Sequence, residues 1–333
     1  MKLAFVAVLA SSVACSGPVL AGTCSPNPAY FEQIRQRVLN PPPGHVVVAA
    51  HRGCFSAAPE NSPEAIDACW RLGVEVVEND VRSTKDGELV VMHDDTIDRT
   101  TNGWGYLDDL TGHDLEQYRL RDEEGGAAAS VTPAPVTTLR AYFRASKNKV
   151  MINLEMKPSA SANFATLVEK SLRIAREEGV IDQIVLKIPD VRNHGRITNS
   201  HILNSIDIPS DVAIWPIIWE SEGADPTARL TQMEAYRPAG FEIPFMSPAF
   251  FTTLAKDPRI GHRPVMAVAV RPYWSGGLSD SVSLPDPNAG WGRLIEMGAN
   301  VLMTDHPEHL LRYLERSNRR LPIATAMCAD EPG

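Results

Sequence analysis

Short apolar runs recur along the chain, and they predict a sheet of buried strands. Turn residues bound each run, and helix-like segments separate most of them. Runs that are apolar throughout, rather than at alternate positions, favour strands buried on both faces, as in a parallel sheet. The candidate strands are residues 46–50, 74–81, 89–92, 150–154, 184–188, 212–219, 241–245, 265–270 and 300–303.

The segments between these runs contain the start and stop signals of helices. The clearest helix begins after Asn61 or Ser62, has Pro63 in its first turn and ends at Gly73. Strands alternate with helices over residues 46–320 without a Gly/Ser linker, which predicts a single (β/α)8 barrel. A doubly wound open sheet is the alternative. A barrel needs one strand fewer than the nine candidates, and we expect residues 241–245, which contain Pro244, to be irregular.

The N-terminal residues predict export. Lys2 precedes the apolar run LAFVAVLASSVAC, and Val19-Leu20-Ala21 has the small-residue pattern of a signal-peptidase site. We therefore expect residues 1–21 to be a signal peptide, cleaved near Ala21, and the protein to be periplasmic or secreted. The alternatives are a membrane anchor, for which the run is short of the roughly 20 residues required, and a lipoprotein attached through Cys15.

The remaining segments flank the barrel, and the charge of the chain limits its partners. Residues 22–45 form a lead-in that includes the stiff PPPG at 41–44, and residues 321–333 form a C-terminal tail. The chain has 32 Lys and Arg against 41 Asp and Glu, a net charge of −9. Such an acidic chain is poorly suited to nucleic acid or an anionic membrane surface. We expect a small-molecule partner and no stable membrane insertion, and leave the oligomeric state open.

Four cysteines remain after the predicted signal peptide, an even number that suits an oxidising compartment. Four cysteines allow three pairings. We favour Cys54 with Cys69, across a loop and the first helix, and Cys24 with Cys328, joining the two termini. Free buried thiols, or Cys54 as a reactive nucleophile, are the alternatives.

Polar residues follow the apolar runs at the edge where a barrel has its active site. Four consecutive candidate strands carry or end in charged residues or histidine. These residues are His51 and Arg52, Glu78 and Asp80, His93 and Asp94, and Glu155 and Lys157.

The spacing of the acidic residues predicts a metal site. Glu78 and Asp80 are two residues apart, so on a strand their side chains point to the same side. If that side is the barrel lumen, the carboxylates need a cation. Together with Glu155 they offer hard oxygen ligands, which favour Mg²⁺ or Ca²⁺ over zinc. A solvated edge or a salt bridge is the alternative.

The other residues at these strand ends are suited to a phosphate ester. Two histidines beside a metal-held anion can serve as general acid and general base. Arg52 offers a planar fork of donors, and Lys157 offers a compact charge.

These residues, with their neighbours, resemble the glycerophosphodiester phosphodiesterase family. The resemblance extends from about residue 46 to residue 311 and rests on several short motifs together. The matching motifs are AHRG at 50–53, PEN at 59–61, VENDV at 77–81, TKDGELVVMHDDTIDRTTNGWG at 84–105, INLEMK at 152–157 and LMTDHP at 302–307.

The resemblance implies a (β/α)8 barrel that hydrolyses glycerophosphodiesters to glycerol 3-phosphate and an alcohol. It implies a divalent ion held by Glu78, Asp80 and Glu155, and His51 and His93 as the acid and base pair. We assign His51 as the acid and His93 as the base. The resemblance also implies that Arg52 and Lys157 bind the phosphate and that Glu60 supports the site.

Two segments depart from the family pattern. LKIPD, which contains Lys187, stands where the family commonly has Ser-Phe, and VAVRPYW replaces a WTVN-like strand. Both lie in the half of the barrel that would contact the alcohol group. Cleavage of a lysophospholipid or sphingomyelin, as in related phospholipase D-like toxins, is therefore an alternative. A non-catalytic exported protein that binds phosphodiesters is another.

Overall fold

Eight parallel strands form the barrel. The structure, a computed structural model, describes residues 24–189, 206–220, 223 and 225–329, so the predicted signal peptide lies outside the described residues. The strands are β1 (Val47–Ala50), β2 (Val76–Ser83), β3 (Met151–Met156), β4 (Ile184–Ile188), β5 (Ala213–Pro216), β6 (Phe241–Glu242), β7 (Val265–Val268) and β8 (Val301–Thr304). They pair in the order β6-β7-β8-β1-β2-β3-β4-β5. A parallel bridge between Ile217 and Glu242 joins β5 to β6, which confirms the predicted (β/α)8 barrel.

Helices connect the strands and surround the barrel. They are α1 (Pro28–Leu39), α2 (Pro63–Leu72), α3 (Gly112–Leu115), α4 (Leu139–Ser146), α5 (Phe164–Glu178), α6 (Pro226–Met233), α7 (Pro248–Ala255), α8 (Asp280–Ser283), α9 (Arg293–Glu296) and α10 (Pro307–Arg316). In α2 the Ser62 side chain accepts a hydrogen bond from the Ala65 amide, and Gly73 ends the helix in the left-handed conformation. Both signals are in the sequence. Across the described ranges, every helix is too short or too polar to span a bilayer.

Alternate residues of each strand face the lumen or the surrounding helices. Val47 and Ala49 of β1 pack in one apolar cluster with Val76 of β2, Met151 of β3 and Val185 of β4. Their neighbours along the strands pack in a separate cluster with the helices. Because successive side chains alternate, positions two and four residues beyond these lumen residues also face the lumen, nearer its C-terminal end.

Helix α1 packs against the lumen cluster, and the apolar pattern does not predict it. Tyr30, Phe31, Ile34 and Val38 are buried among the lumen residues. The predicted lead-in, residues 22–45, therefore contains helix α1, Pro28–Leu39. Its boundaries, and those of the barrel and the tail, stay a prediction.

The surplus candidate strand is 89–92, and the expectation that 241–245 would be irregular is wrong. Phe241 and Glu242 pair in parallel with Val265 and Met266 of β7. Leu89–Val91 instead pairs antiparallel with the end of β2. Because β2 continues to Ser83 beyond the barrel, the chain can turn back along it as a hairpin. Pro244 lies just after β6 and does not interrupt it.

A small unit of chain lies between this hairpin and helix α4. Its antiparallel strands Arg119–Arg121 and Val131–Pro135 pair with each other. A third apolar cluster holds the unit to the hairpin, and its buried members are Val90, Met92, Ile97, Leu107, Leu115, Leu120 and Val136. The hairpin that carries His93 is therefore packed on both sides.

Both favoured cysteine pairings are present, which excludes a free reactive Cys54. Cys54 pairs with Cys69 over 15 residues, and Cys24 pairs with Cys328 over 304 residues. The second bridge lies beside a short antiparallel pairing of Ser25–Pro26 with Cys328–Ala329. It joins the chain ends, whereas the first bridge fastens the loop after β1 to helix α2.

Removing the first bridge should destabilise the fold. The double substitution Cys54→Ala and Cys69→Ala should lower the free energy of unfolding by about 3 kcal/mol, because the unfolded chain regains the entropy of a 15-residue loop. Urea denaturation of the oxidised protein measures the change. The matched control, Cys24→Ala with Cys328→Ala, should cost more because its loop is longer, and equal losses would contradict this account.

Candidate active site

Three carboxylates meet in the lumen at the C-terminal end of the barrel. Glu78 and Asp80 follow Val76 at lumen positions of β2 and are each 1% exposed. Asp80 pairs in register with Glu155 of β3. One oxygen from each of the three lies within 4.8 Å of the others. These hard oxygen donors fit Mg²⁺ or Ca²⁺ and form the only such acidic or histidine group among the described residues.

Two lysines form ion pairs with these carboxylates. Lys157 Nζ lies 3.2 Å from Asp80 Oδ1 and also contacts Glu155 Oε1. Lys187, on β4, donates hydrogen bonds to Glu155 Oε2 (2.9 Å) and Glu78 Oε1 (3.3 Å). Burial alone would lower the pKa of Lys187, but the charges of Glu242, Glu155 and Glu78 outweigh burial, and the pKa is raised well above its usual value.

His51 stands at the end of β1 and is held by an aspartate. Its Nδ1 donates a 2.7 Å hydrogen bond to Asp305 Oδ1, at the end of β8. Burial lowers the pKa of His51, but the hydrogen bond to Asp305 and the charges of Glu78 and Asp305 outweigh burial and raise it. The bond to Nδ1 leaves Nε2 as the ring nitrogen for proton transfer.

Asp305 is held in turn by a buried carboxylate. Asp280 Oδ2 accepts a 2.9 Å hydrogen bond from the Asp305 amide, and Asp280 Oδ1 accepts from Thr304 and from the Trp291 indole. Burial raises the pKa of Asp280 to about 6 despite these three donors. The segment that carries the partner of His51 is therefore fixed in place.

His93 reaches the site through the hairpin rather than from the end of a barrel strand. The Met92 amide donates to the Asp80 carbonyl, which places the next residue beside the acidic cluster. His93 Nδ1 donates a 2.7 Å hydrogen bond to Asp94 Oδ1. This bond, with the hydrogen bonds from Arg99, holds the pKa of Asp94 well below its usual range.

Glu60 connects two arginines beneath the site. It is 3% exposed and accepts hydrogen bonds from Arg99 at 2.7 and 2.9 Å and from Arg52 at 3.3 Å. Arg52 Nε also lies 3.5 Å from Asp80 Oδ2. Glu60 therefore connects Arg52 to the segment that holds His93, and its supporting role stays a prediction.

The loop after β1, which carries Arg52 and Glu60, turns sharply at Arg52 and Gly53. Arg52 has φ of 55° and Gly53 has φ of 88°. A Cβ at Gly53 would lie 2.9 Å from the Cβ of Ala65 in α2. The glycine of AHRG is required both for the left-handed backbone and for this close approach. The Arg52 amide then donates to Glu78 Oε2 at 3.2 Å.

The histidines and the carboxylates line one cavity of about 230 Å³. Its charged wall comprises His51, Glu78, Asp80, His93, Glu155, Lys157, Lys187 and Glu242, and its apolar wall comprises Pro189, Ile217, Trp219, Pro244, Val268, Trp274 and Met303. Arg52 and Glu60 lie beside this lining, not in it. Trp219 and Trp274 pack edge to face at 6.1 Å, whereas Trp215 is fully buried in the core.

Sequence reasoning missed several residues that complete the site. Arg99 and Asp280 carry no strand-end signal, and Glu242 lies in the segment expected to be irregular. Asp305 does follow a strand directly, as His51 does, and that position could have identified it. Lys187 is visible only as a departure from the family pattern.

Comparison with known proteins gives matches over most of the chain. The sequence model of the glycerophosphoryl diester phosphodiesterase family matches residues 51–200, and a model described as a domain of unknown function matches residues 217–314. A glycerophosphodiester phosphodiesterase of Caldanaerobacter subterraneus subsp. tengcongensis is 25% identical, over 81% of this chain and 98% of its own. A probable glycerophosphodiester phosphodiesterase 1 of Mycobacterium tuberculosis is 45% identical over 25% of this chain and 29% of its own.

Solved structures share the fold. A phosphodiesterase of Oleispira antarctica, in complex with the product sn-glycerol-3-phosphate, has a TM-score of 0.60 at 21% identity, covering 81% of this chain and 96% of its own. A putative enzyme from Silicibacter pomeroyi has a TM-score of 0.63 at 17% identity, covering 86% and 99%. The family model, the sequence motifs and the named relatives agree: residues 51–200 belong to the glycerophosphoryl diester phosphodiesterase family, a family of phosphoric diester hydrolases.

Proposed function

We propose that the protein hydrolyses glycerophosphodiesters to glycerol 3-phosphate and an alcohol, with a divalent ion and two histidines. The observation that carries the proposal is the single cavity lined by His51, His93 and the three clustered carboxylates. Relatives named as glycerophosphodiester phosphodiesterases support the substrate class.

The two histidines have separate roles in this proposal. His51 is the acid: its raised pKa keeps the imidazolium populated, and Nε2 donates a proton to the oxygen of the leaving alcohol. His93 is the base and accepts the proton of the attacking hydroxyl, which belongs to water or to the glycerol itself. In the second case a cyclic glycerophosphate forms first, and water then opens it to glycerol 3-phosphate. Asp305 and Asp94 hold the two rings through their Nδ1 atoms.

The charged groups around the histidines bind the phosphate. Glu78, Asp80 and Glu155 would hold Mg²⁺ or Ca²⁺, which supplies positive charge to the phosphate oxygens. Lys157 is 20% exposed and lines the cavity, so its ammonium can contact the phosphate. Arg52, paired with Glu60 and Asp80, adds a second positive charge from the side.

The apolar wall favours a second candidate function. Trp219, Trp274, Val268 and Met303 offer a surface suited to an alkyl or lipid-bearing group. Cleavage of a lysophospholipid, in the manner of a lysophospholipase D, would use the same charged wall with a different alcohol.

Export is part of the proposal. Two disulfides join Cys54 to Cys69 and Cys24 to Cys328, and such bridges persist in oxidising compartments. They support a periplasmic or secreted protein.

Removal of either histidine should sharply reduce turnover, and removal of the metal should stop it. His51→Ala and His93→Ala should each lower kcat for glycerophosphocholine by about 10²-fold to 10⁴-fold, the usual contribution of a general acid or base. EDTA should stop the wild-type reaction, and added Mg²⁺ or Ca²⁺ should restore it. Release of choline measures each rate.

The matched control is His113→Ala, because the His113 side chain is 89% exposed on helix α3. It should retain wild-type activity. Full activity in either active-site variant would refute the proposed mechanism. Tight binding of the substrate by the wild type without turnover, with metal supplied, would identify a binding protein instead.

The pH profile tests the assignment of the acid. Asp305→Asn removes the carboxylate that raises the pKa of His51, so the imidazolium should lose its proton at lower pH. Glu78 and Arg52 also face the ring and are unchanged. The alkaline limb of the kcat/KM profile should therefore move to lower pH. A shift of the acidic limb instead would make His51 the base and His93 the acid.

A substrate panel separates the two candidate functions. Trp274→Ala should raise KM for a lysophospholipid while leaving KM for glycerophosphocholine within about twofold, since loss of one apolar contact affects mainly the bulkier group. Steady-state assays with each metal measure both constants. Wild-type turnover of lysophospholipid alone would favour the second function.

A further inference from the structure

The ammonium of Lys187 is enclosed by three carboxylates in the lumen. Its Nζ donates hydrogen bonds to Glu155 and Glu78 and lies 3.2 Å from Glu242 Oε2. An ammonium group has three protons, so these three carboxylates can occupy all of them. Lys187 is also 3% exposed. It is therefore placed to act on the carboxylates rather than on a phosphate.

Two of the partners of Lys187 are proposed metal ligands. Glu78 and Glu155 belong to the acidic cluster, and an ion in that cluster would use the same oxygens or their neighbours. Lys157 also contacts Glu155, but its side chain is 20% exposed and can turn toward the cavity. The ammonium of Lys187 is 3% exposed and enclosed by carboxylates, so it must keep a partner inside the lumen.

Glu242 is the partner that lies outside the metal cluster. It comes from β6, across the lumen from β2, and is 5% exposed. Its Oε2 is close to Lys187, yet among the described residues this atom accepts no hydrogen bond of good geometry. Glu242 Oε2 can therefore accept a further hydrogen bond from the Lys187 ammonium beside it.

We propose that Lys187 and Glu242 are positioning residues that set the affinity of the site for its divalent ion. Lys187 holds Glu78 and Glu155 in place and competes with the ion for their oxygens. Glu242 accepts the ammonium when the ion binds. The inference rests on the proposed metal site and deepens it.

The double substitution Lys187→Met and Glu242→Gln tests the competition without changing the net charge of the lumen. If only net charge set the affinity, this variant would bind metal as the wild type does. We expect Mg²⁺ and Ca²⁺ to bind about tenfold more tightly, because charge-assisted hydrogen bonds to two ligands are removed. Isothermal titration calorimetry of the metal-free full-length protein measures the dissociation constants.

The single substitution Glu242→Gln should act in the opposite direction. With a weaker acceptor across the lumen, the ammonium stays on Glu78 and Glu155, and we expect metal to bind about tenfold more weakly. This near-isosteric change keeps the test available if the double variant does not fold. A merely structural role would not produce effects of opposite sign.

The matched control is Lys149→Met, which removes a lysine that is paired with Asp67 outside the lumen. Its metal affinity should equal that of the wild type. Absence of metal binding by the wild-type protein would refute the proposed metal site itself. Wild-type binding with unchanged affinity in both lumen variants would overturn only the role of Lys187 and Glu242.

Discussion

Charge compensation inside the barrel is the constraint on which the site depends. Glu78 and Asp80 are almost fully buried, and buried carboxylates without cations would cost several kcal/mol each. Lys157, just after β3, and Lys187, on β4, supply the compensation, and Arg52 supplies it from the loop after β1. Of these cations, Lys157 and Arg52 are also the positive charges proposed to bind the phosphodiester anion. The interactions that allow the barrel to fold therefore also prepare the cavity for its substrate.

The two histidines are held by separate parts of the chain, and the polar contacts of each extend to the loop after β1. His51 is fixed from the C-terminal side of the barrel through Asp305. His93 is fixed by Asp94, which Arg99 joins to Glu60. Because Glu60 also binds Arg52, these contacts connect the small unit after β2 to the loop that follows β1. The disulfide between Cys54 and Cys69 fastens this same loop to α2.

The part of the site that follows from local spacing could be predicted from the sequence. The two-residue period of a strand places Glu78 and Asp80 on one face, and strand order brings Glu155 beside them. The hairpin of His93 could not be predicted, because an apolar run does not show whether it pairs parallel or antiparallel. The position of Glu242 in the site could not be predicted either, since its strand is two residues long and its partner, Lys187, lies on a different strand.

The charged and the apolar residues of the cavity come mainly from different halves of the barrel. Apart from His51, its charged residues come mainly from β2 to β4 and the hairpin, whereas β5 to β8 and the loops after them supply mostly apolar residues. In the proposed function, phosphate chemistry and selection of the alcohol could therefore change independently, because different strands would carry them. Glu242 is the exception, because it lies in the apolar half but contacts Lys187 of the charged half. Pro244, which belongs to the apolar wall, follows two residues later. Through this short segment, the wall that would contact the alcohol is mechanically connected to the residues proposed to hold the metal.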